Sequence, residues 1–235
     1  MFATYPKFLG LYSQLVGSKD CGVERAIITG GTGGLGSAMA DCLKTGAWEV
    51  VQLGRKDLDL SDHSALAAFF SSEKCDLLVC AAGMIRDQPL SRMEEDAWDE
   101  VFLVNFTAAR DCARAAISQM VERGRGHIIF ISSYAAVHPA IGQAAYATAK
   151  AALHGLTKGL AEEHGRNGIR VNAVLPGFLE TPMTAAVSEK RREIVRNLHF
   201  LGELNTPESA AEFIRFLHER MPHTSGQVFS LDSRP

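Results

Sequence analysis

The run "RAIITGGTGGLGSAMADCLKTG", residues 25 to 46, constrains this chain more than any other stretch. "RAIIT" is a short β-branched segment stopped by glycine, and "GLGSAMADCLK" has helical spacing with Gly46 placed as its C-cap. The reading is strand, tight turn, helix. Two glycine registers overlap in the turn, G-x-G-x-x-G from Gly31 to Gly36 and T-G-x-x-x-G-x-G from Thr29 to Gly36. The pattern is weak alone and specific in this position, because glycines between a first strand and a helix let the backbone approach a pyrophosphate at the helix's positive end. The residues expected to meet a dinucleotide here are Gly30, Thr32, Gly33, Gly34, Leu35 and Gly36. A bare turn with no ligand is the alternative.

The same alternation continues down the chain. "EVVQL" reads as a strand, "SDHSALAAFFSS" as a helix capped by Ser61, "CDLLVCAAG" as a buried strand, and Glu94 to Arg123 as one long helix. Then come "GHIIFISS", a helix holding "QAAYATAKAAL", the strand "IRVNAVLPG", two more helices and a last strand near "GQVFSLD". Strands alternating with helices imply a parallel sheet covered on both faces, an α/β doubly wound, Rossmann-type fold. A parallel neighbour normally needs a crossover of about a dozen residues. Only a few residues separate "EVVQL" from "DLDLSD" (57 to 62), so the helix between the second and third strands is missing and "KDLDL" is at best a vestigial edge strand.

The 235 residues are 46% hydrophobic and 22% charged, enough to bury one large core, with no internal repeat or linker to divide it. The expected organisation is an N-terminal extension over 1–23 and a single domain over 24–235. A net charge of −3 offers no basic footprint, and the cluster "EKRREIVR" alternates with acids, so no nucleic-acid partner is expected. No uninterrupted apolar run reaches the ~18 residues of a membrane span, and the N-terminus lacks the pattern of a leader, so the expectation is a cytoplasmic protein without a membrane partner. The five cysteines are scattered without zinc-site spacing; free buried thiols and no metal are expected.

An NAD-binding fold places an acid at the end of the second strand, where it accepts from the ribose hydroxyls. Here that strand ends "VVQLGRK", and Glu49 sits at its start instead. Gly54 and Arg55 take the discriminating place, where a guanidinium suits a 2′-phosphate and no acid is left to repel it. NADP(H) is therefore favoured, with NAD(H) possible; the alternative leaves Arg55 and Lys56 as solvated surface charges.

Tyr146 and Lys150 are four apart in an alanine-rich helix and so share one face. A free tyrosine has a pKa near 10, and a close ammonium lowers it, making the phenol a proton donor and acceptor. In isolation, a half-buried tyrosine and a snorkelling lysine would be the better reading of the pair, since such pairs are common in helices. "FISS" (130 to 133) ends the preceding strand at the carboxyl edge of the sheet, where open α/β folds place ligands, and this tips the reading toward a site.

With these motifs in order, the chain resembles the short-chain dehydrogenase/reductase family over roughly residues 24 to 232. The family's T-G-x-x-x-G-x-G is met by Thr29, Gly30, Gly34 and Gly36, and its Y-x-x-x-K by Tyr146 and Lys150. Its serine, thirteen residues before the tyrosine, falls on Ser133, its helix asparagine on Asn105, and its P-G segment on Pro176 and Gly177 with Thr181 following. The resemblance implies hydride transfer in which Tyr146 protonates a carbonyl oxygen and Lys150 lowers its pKa and binds the nicotinamide ribose. Ser133 would hold the substrate oxygen and Asn105 a water linked to Lys150. Asp59 and Leu60 would border the adenine, Ala81, Ala82 and Gly83 would line the cofactor, and Leu179 with Thr181 would orient the carboxamide.

Within the family the chain is similar to β-ketoacyl-acyl-carrier-protein reductases, through "GMIRDQPLSRMEEDAWDEVFLVNFTA" and "VNAVLPGFLETPMT". That implies a small-molecule or acyl-thioester carbonyl substrate and acyl-carrier protein as a partner. Dehydrogenases of sugars, steroids or other secondary alcohols share these segments and form the second reading; a non-catalytic nucleotide-binding protein is the third. The chain departs from the pattern in three places. N-N-A-G reads Cys80-Ala81-Ala82-Gly83; Gly124 and Asn167 stand where carrier-binding arginines are expected, beside Arg123, Arg125 and Arg166; and the glycine pair near the C-terminus gives way to "DS" in "SLDSRP". Tyr134, His138, Ile141, Phe178 and Met183 are the expected pocket lining. The helices at 94–123 and 146–165 resemble those that pair in family oligomers, so a homo-oligomer, dimer or tetramer, is expected. Phe2, Tyr5, Phe8 and Tyr12 could pack on a neighbouring subunit or on this one.

Overall fold

The computed structural model describes residues 22–235, so the aromatic residues of the N-terminal extension lie outside the described residues. Six strands form one parallel sheet: β1 (Glu24–Thr29), β2 (Trp48–Leu53), β3 (Leu77–Cys80), β4 (Gly126–Ile131), β5 (Ile169–Leu175) and β6 (Val228–Ser230), in the order β2-β1-β3-β4-β5-β6. The helices are α1 (Gly34–Lys44), α2 (His63–Ser72), α3 (Glu95–Phe102), α4 (Ala108–Arg123), α5 (Ala144–His164), α6 (Glu189–Leu198) and α7 (Pro207–Arg220).

Strand residues alternate between the sheet's two faces, and the central strands are apolar at nearly every position because both faces are covered. Ile27, Leu78, Ile128 and Val171 point into a layer with Leu66 and Phe70 of α2, Cys112 and Met120 of α4, and Leu153 of α5. Ile28, Val79, Ile129 and Val174 point the other way, onto Met39 and Leu43 of α1 and Ile214 and Leu217 of α7. The doubly wound architecture read from the sequence is the architecture found.

The truncation beside β2 goes one step further than expected. Residues 54–62 form turns and no strand, so one helix, α2, carries the whole connection from β2 to β3, and β2 is the sheet edge. The aspartates of "KDLDL" explain this. Asp57 accepts from the Gly54 N–H at 2.8 Å and Asp59 from the Ser61 N–H at 2.9 Å. Such local side-chain bonds compete with a strand ladder and favour turns. Leu58 and Leu60 pack against the layer under α2.

Three boundaries are corrected. The N-cap of α2 is Asp62, whose carboxylate accepts from Ser64 and Ala65 at 2.9 and 3.0 Å, while Ser61 is bound to Asp59. The C-cap of α1 is Thr45, one residue before Gly46. The helix expected from Glu94 to Arg123 is split by a π-helical turn at Leu103–Thr107. Asn105 sits in that turn and its Nδ2 donates to the Val101 carbonyl at 2.9 Å, taking the acceptor four residues back that a regular helix would give to its own N–H.

Because β2 and β3 lie on opposite sides of β1, the chain reverses its winding there. The carboxyl ends of β1 and β3 thus frame the crevice where open α/β sheets bind ligands.

Candidate active site

The turn after β1 is built for close approach. Gly30 has φ +66, and a Cβ on it would lie 2.7 Å from the backbone N and Cα of Ala82, so this turn packs directly on the Ala81–Gly83 loop after β3. A Cβ on Gly36 would collide with the Gly30 carbonyl, and one on Gly34 would lie 2.5 Å from the Thr181 methyl. The N-cap of α1, Gly33, contributes no side-chain bond, and the first turn carries no acid. The positive end of α1 is therefore uncovered by any side chain of its own, beside exposed Thr32 and Gly33. These features fit the pyrophosphate of a dinucleotide: backbone N–H groups and a favourable helix dipole with no capping side chain or acid of the helix to compete.

The end of β2 reaches the same place. A Cβ on Gly54 would lie 2.9 Å from Thr32 Oγ1, which puts exposed Arg55 next to the turn. An acid does stand here, contrary to expectation: the Asp57 carboxylate folds back onto the Gly54 N–H at 2.8 Å. Residue spacing alone could not show it, because it arrives through a turn and not through the strand. Asp59 spends its carboxylate on the Ser61 N–H and hydroxyl, bonds that lower its pKa, and Leu60 packs toward the core. Both are committed to local contacts.

Ser133, Tyr146, Lys150 and Asn105 come from three elements: the turn after β4, the helix α5 and the π-helical turn. Ser133 follows β4 and caps the short turn Tyr134–Ala136, its Oγ accepting from the Ala135 N–H at 3.2 Å. Tyr146, buried on the first turn of α5, has its phenol near enough to Ser133 for that side chain to lower its pKa. Lys150, one turn later and also buried, donates to the Ile131 carbonyl at 2.9 Å; its ammonium is 5.9 Å from the Tyr146 ring centroid. Asn105 Nδ2 donates to Met84 O at 2.9 Å and its Oδ1 accepts from Met84 N at 3.2 Å, fixing the side chain against the loop after β3. A Cβ on Gly83 would meet Asn105 Oδ1 at 3.0 Å and Lys150 Nζ at 3.6 Å, so Asn105 and Lys150 close on one glycine.

The electrostatics differ from the sequence expectation. Burial raises the Tyr146 pKa, outweighing the lowering by the Ser133 bond, and the Asp87 charge adds to the rise. Burial lowers Lys150 to about 8. The expected depression of Tyr146 by Lys150 does not appear because the ammonium is turned to the Ile131 carbonyl while the phenol is desolvated.

Neighbouring residues show why only one serine of "FISS" reaches the site. Ser132 Oγ donates to the Lys150 carbonyl at 3.1 Å and lies 2.8 Å from His154 Nε2, so it ties β4 to α5 from behind. The P-G segment is held by residues that the sequence reading did not single out. Asn205 Nδ2 donates to Pro176 O at 2.8 Å; Thr184 Oγ1 donates to Leu179 O at 2.7 Å and accepts from Thr181 N–H at 3.0 Å. Spacing in "TPMT" was the available signal for Thr184. Cys80, in the place of an asparagine, is buried with its Sγ toward Ala109 O at 3.8 Å.

Gly124 has φ +63 as the left-handed cap of α4, a conformation that disfavours arginine. Its neighbours Arg123 and Arg125 both face Asp76, at 2.6 and 3.6 Å. Among the described residues no helix is long and apolar enough to cross a membrane, and no cluster of three metal-ligating side chains occurs.

A six-stranded parallel sheet with an uncapped glycine turn at its switch point, facing a Ser–Tyr–Lys–Asn set, defines an NAD(P)-dependent oxidoreductase acting on CH–OH and C=O groups. Its family follows from comparison: the family model described as short chain dehydrogenase matches residues 57–192, and the chain belongs to that family. It is similar to 3-oxoacyl-acyl-carrier-protein reductases, being 34% identical to that of Rickettsia conorii over 89% of this chain and 95% of the relative. With that of Thermotoga maritima it shares 39% identity over 68% of this chain, a match spanning 65% of the relative's length. Among solved structures, a protein assigned as an NAD(P)-dependent gluconate 5-dehydrogenase from Beutenbergia cavernae, with NADP bound at low occupancy, superposes with a TM-score of 0.86. Its sequence is 29% identical, and the match covers 91% of this chain and 97% of that one.

Proposed function

We propose that this protein is an NADP(H)-dependent carbonyl reductase whose substrate is a β-ketoacyl thioester. The observation that carries the reading is the convergence of Ser133, Tyr146, Lys150 and Asn105 at the carboxyl edge of the sheet, beside a glycine turn open to a pyrophosphate. The relatives named as 3-oxoacyl reductases support the substrate class, and the NADP in the Beutenbergia structure, with Arg55 beside Thr32, supports the cofactor.

When bound, the reduced nicotinamide supplies a hydride to the carbonyl carbon. Tyr146 gives the proton to the carbonyl oxygen, and its raised pKa keeps it protonated and ready to donate at neutral pH. Ser133 donates to the same oxygen as negative charge grows there. Lys150, lowered to about 8, would hold the nicotinamide ribose, and Asn105, which closes with it on Gly83, would hold a water linking it to solvent. Gly30 and Gly36 let the turn fold tightly on itself and on the loop after β3, and the backbone N–H groups of that turn would hold the pyrophosphate, with Thr181 of the P-G loop packed on Gly34 beside it. Arg55, exposed beside the turn, would receive the 2′-phosphate. The reading includes a homo-oligomer through α4 and α5, which light scattering on the purified protein checks.

The test is the absorbance of NADPH and of NADH with acetoacetyl-carrier protein, acetoacetyl-CoA and a panel of sugar and alcohol substrates. Faster turnover of the thioesters with NADPH is expected. Turnover of polyols alone would favour the second reading, a sugar-type dehydrogenase, which the Beutenbergia likeness supports.

A further inference from the structure

The segment after β6 ties three loops at the carboxyl edge of the sheet. The Leu231 N–H donates to the Leu175 carbonyl at 2.9 Å, which lays the segment along β5. The Asp232 side chain is fully buried: its carboxylate pairs with both sides of the Arg234 guanidinium, lies 3.4 Å from His199 Nε2, and abuts Gly177, where a Cβ would meet it at 3.1 Å. Ser233 accepts from the Phe200 N–H at 3.0 Å through its carbonyl and lies 3.2 Å from His199 Nδ1 through its hydroxyl. Arg234 stacks 3.6 Å from the centroid of the Tyr134 ring, and the Tyr134 hydroxyl donates to the Pro235 carbonyl at 2.9 Å. His138 stacks on Tyr134 at 4.7 Å.

Tyr134 directly follows Ser133, Gly177 belongs to the P-G segment, and His199 directly follows α6. A buried ion pair contributes little net stability against a well-packed apolar alternative, so its presence suggests geometric specificity. A planar guanidinium that is both forked onto a carboxylate and stacked on an aromatic ring is a rigid joint that lysine cannot copy. The two loops so joined carry uncovered apolar side chains: Ile141 is 97% exposed on one, and Phe200 and Leu201 are each 79% exposed on the other. The rim arginines Arg234 and Arg192 are paired with Asp232 and Glu180, so neither is free to receive an anionic substrate group.

Resting on the reading above, we propose that Asp232 and Arg234 form a strap that joins Tyr134 to the His199–Gly202 turn, and that the uncovered apolar side chains of the two loops so joined select ketones bearing an aliphatic acyl chain. Both are positioning residues that act through Tyr134 and His199. The test compares wild type with Arg234→Ala and, should that variant fold poorly, Arg234→Lys. Hydrogen–deuterium exchange is read in 134–142 and 198–203 against β1 as reference, together with KM for short and long 3-oxoacyl thioesters.

Exchange should rise about tenfold in both segments together, as expected for two loops released by one joint. KM should rise about tenfold for a long chain and less than threefold for acetoacetyl-CoA, the pattern of lost chain binding. Unchanged exchange at 134–142 or at 198–203 overturns the strap. Coupled exchange with equal KM changes for short and long chains overturns the chain-selecting role. A wild-type protein that reduces no thioester at all, yet shows the coupled exchange, overturns the proposed substrate and leaves the joint established.

Discussion

The Lys150 ammonium donates to the Ile131 carbonyl at 2.9 Å, with both residues sealed from solvent. This bond fastens α5, which carries Tyr146, to the end of β4, which presents Ser133. Burial lowers the lysine from its ordinary 10.5 to about 8. Between those values the unfolded chain holds a proton that the folded one has lost, so the native state gains stability as pH rises from about 8 toward 10.5 and loses that gain as pH falls through 8. Lys150→Met lacks this titration. Its melting temperature, relative to wild type, should be highest at pH 7 and decline at pH 9, while turnover falls at least about a hundredfold because the site's cation is gone.

Tyr146→Phe removes the phenol oxygen and keeps the ring. Reduction should slow by about 10² to 10⁴, the usual worth of a positioned general acid, with NADPH affinity changed less than about threefold. Fluorescence titration of NADPH beside single-turnover kinetics separates the two. Ser133→Ala should cost about 10² in rate as a lost donor to the developing oxyanion.

Arg55 and Asp57 stand together at the end of β2, with opposite preferences for a 2′-phosphate. Arg55→Asp should raise KM for NADPH by about tenfold or more and bring NADH level with it, since a bidentate cation becomes a repelling anion. Asp57→Asn keeps an acceptor for the Gly54 N–H but removes the charge, and should improve KM for NADPH about twofold to threefold. Steady-state kinetics with both cofactors read both outcomes.

Gly36→Ala drives a methyl into the Gly30 carbonyl. Backbone cannot yield cheaply there, so a loss of about 1–3 kcal/mol is expected. Thermal melts with and without NADPH check it, and the cofactor should stabilise the variant less than wild type because the turn itself has shifted.

The alternation of strands and helices, the switch-point turn and the two-faced core were legible because each depends on local periodicity and on glycine, which sequence displays directly. "TGGTGGLG" and "YATAK" could be read for the same reason: a turn or one helix face is a short-range object. Other features escaped it. Asp57 reached the cofactor edge through a turn, Asp62 displaced Ser61 as the cap of α2, and the π-helical turn at Asn105 arose from a side chain whose acceptors include a loop twenty-one residues away. Each depends on where a polar side chain finds its partner, which periodicity does not encode.

By itself, the sequence determined the parallel α/β architecture, because this follows from pattern and spacing, and its motifs carried the resemblance that pointed to the family and to the candidate acid–base residues. Only the tertiary structure decided how those residues are tuned. It turned Lys150 toward Ile131 and left Tyr146 desolvated, reversing the expected shift of the phenol. It also brought Arg234 and Pro235 onto Tyr134 from about a hundred residues away. Electrostatic shifts depend on burial and on distances through space, and these exist only once the chain has packed.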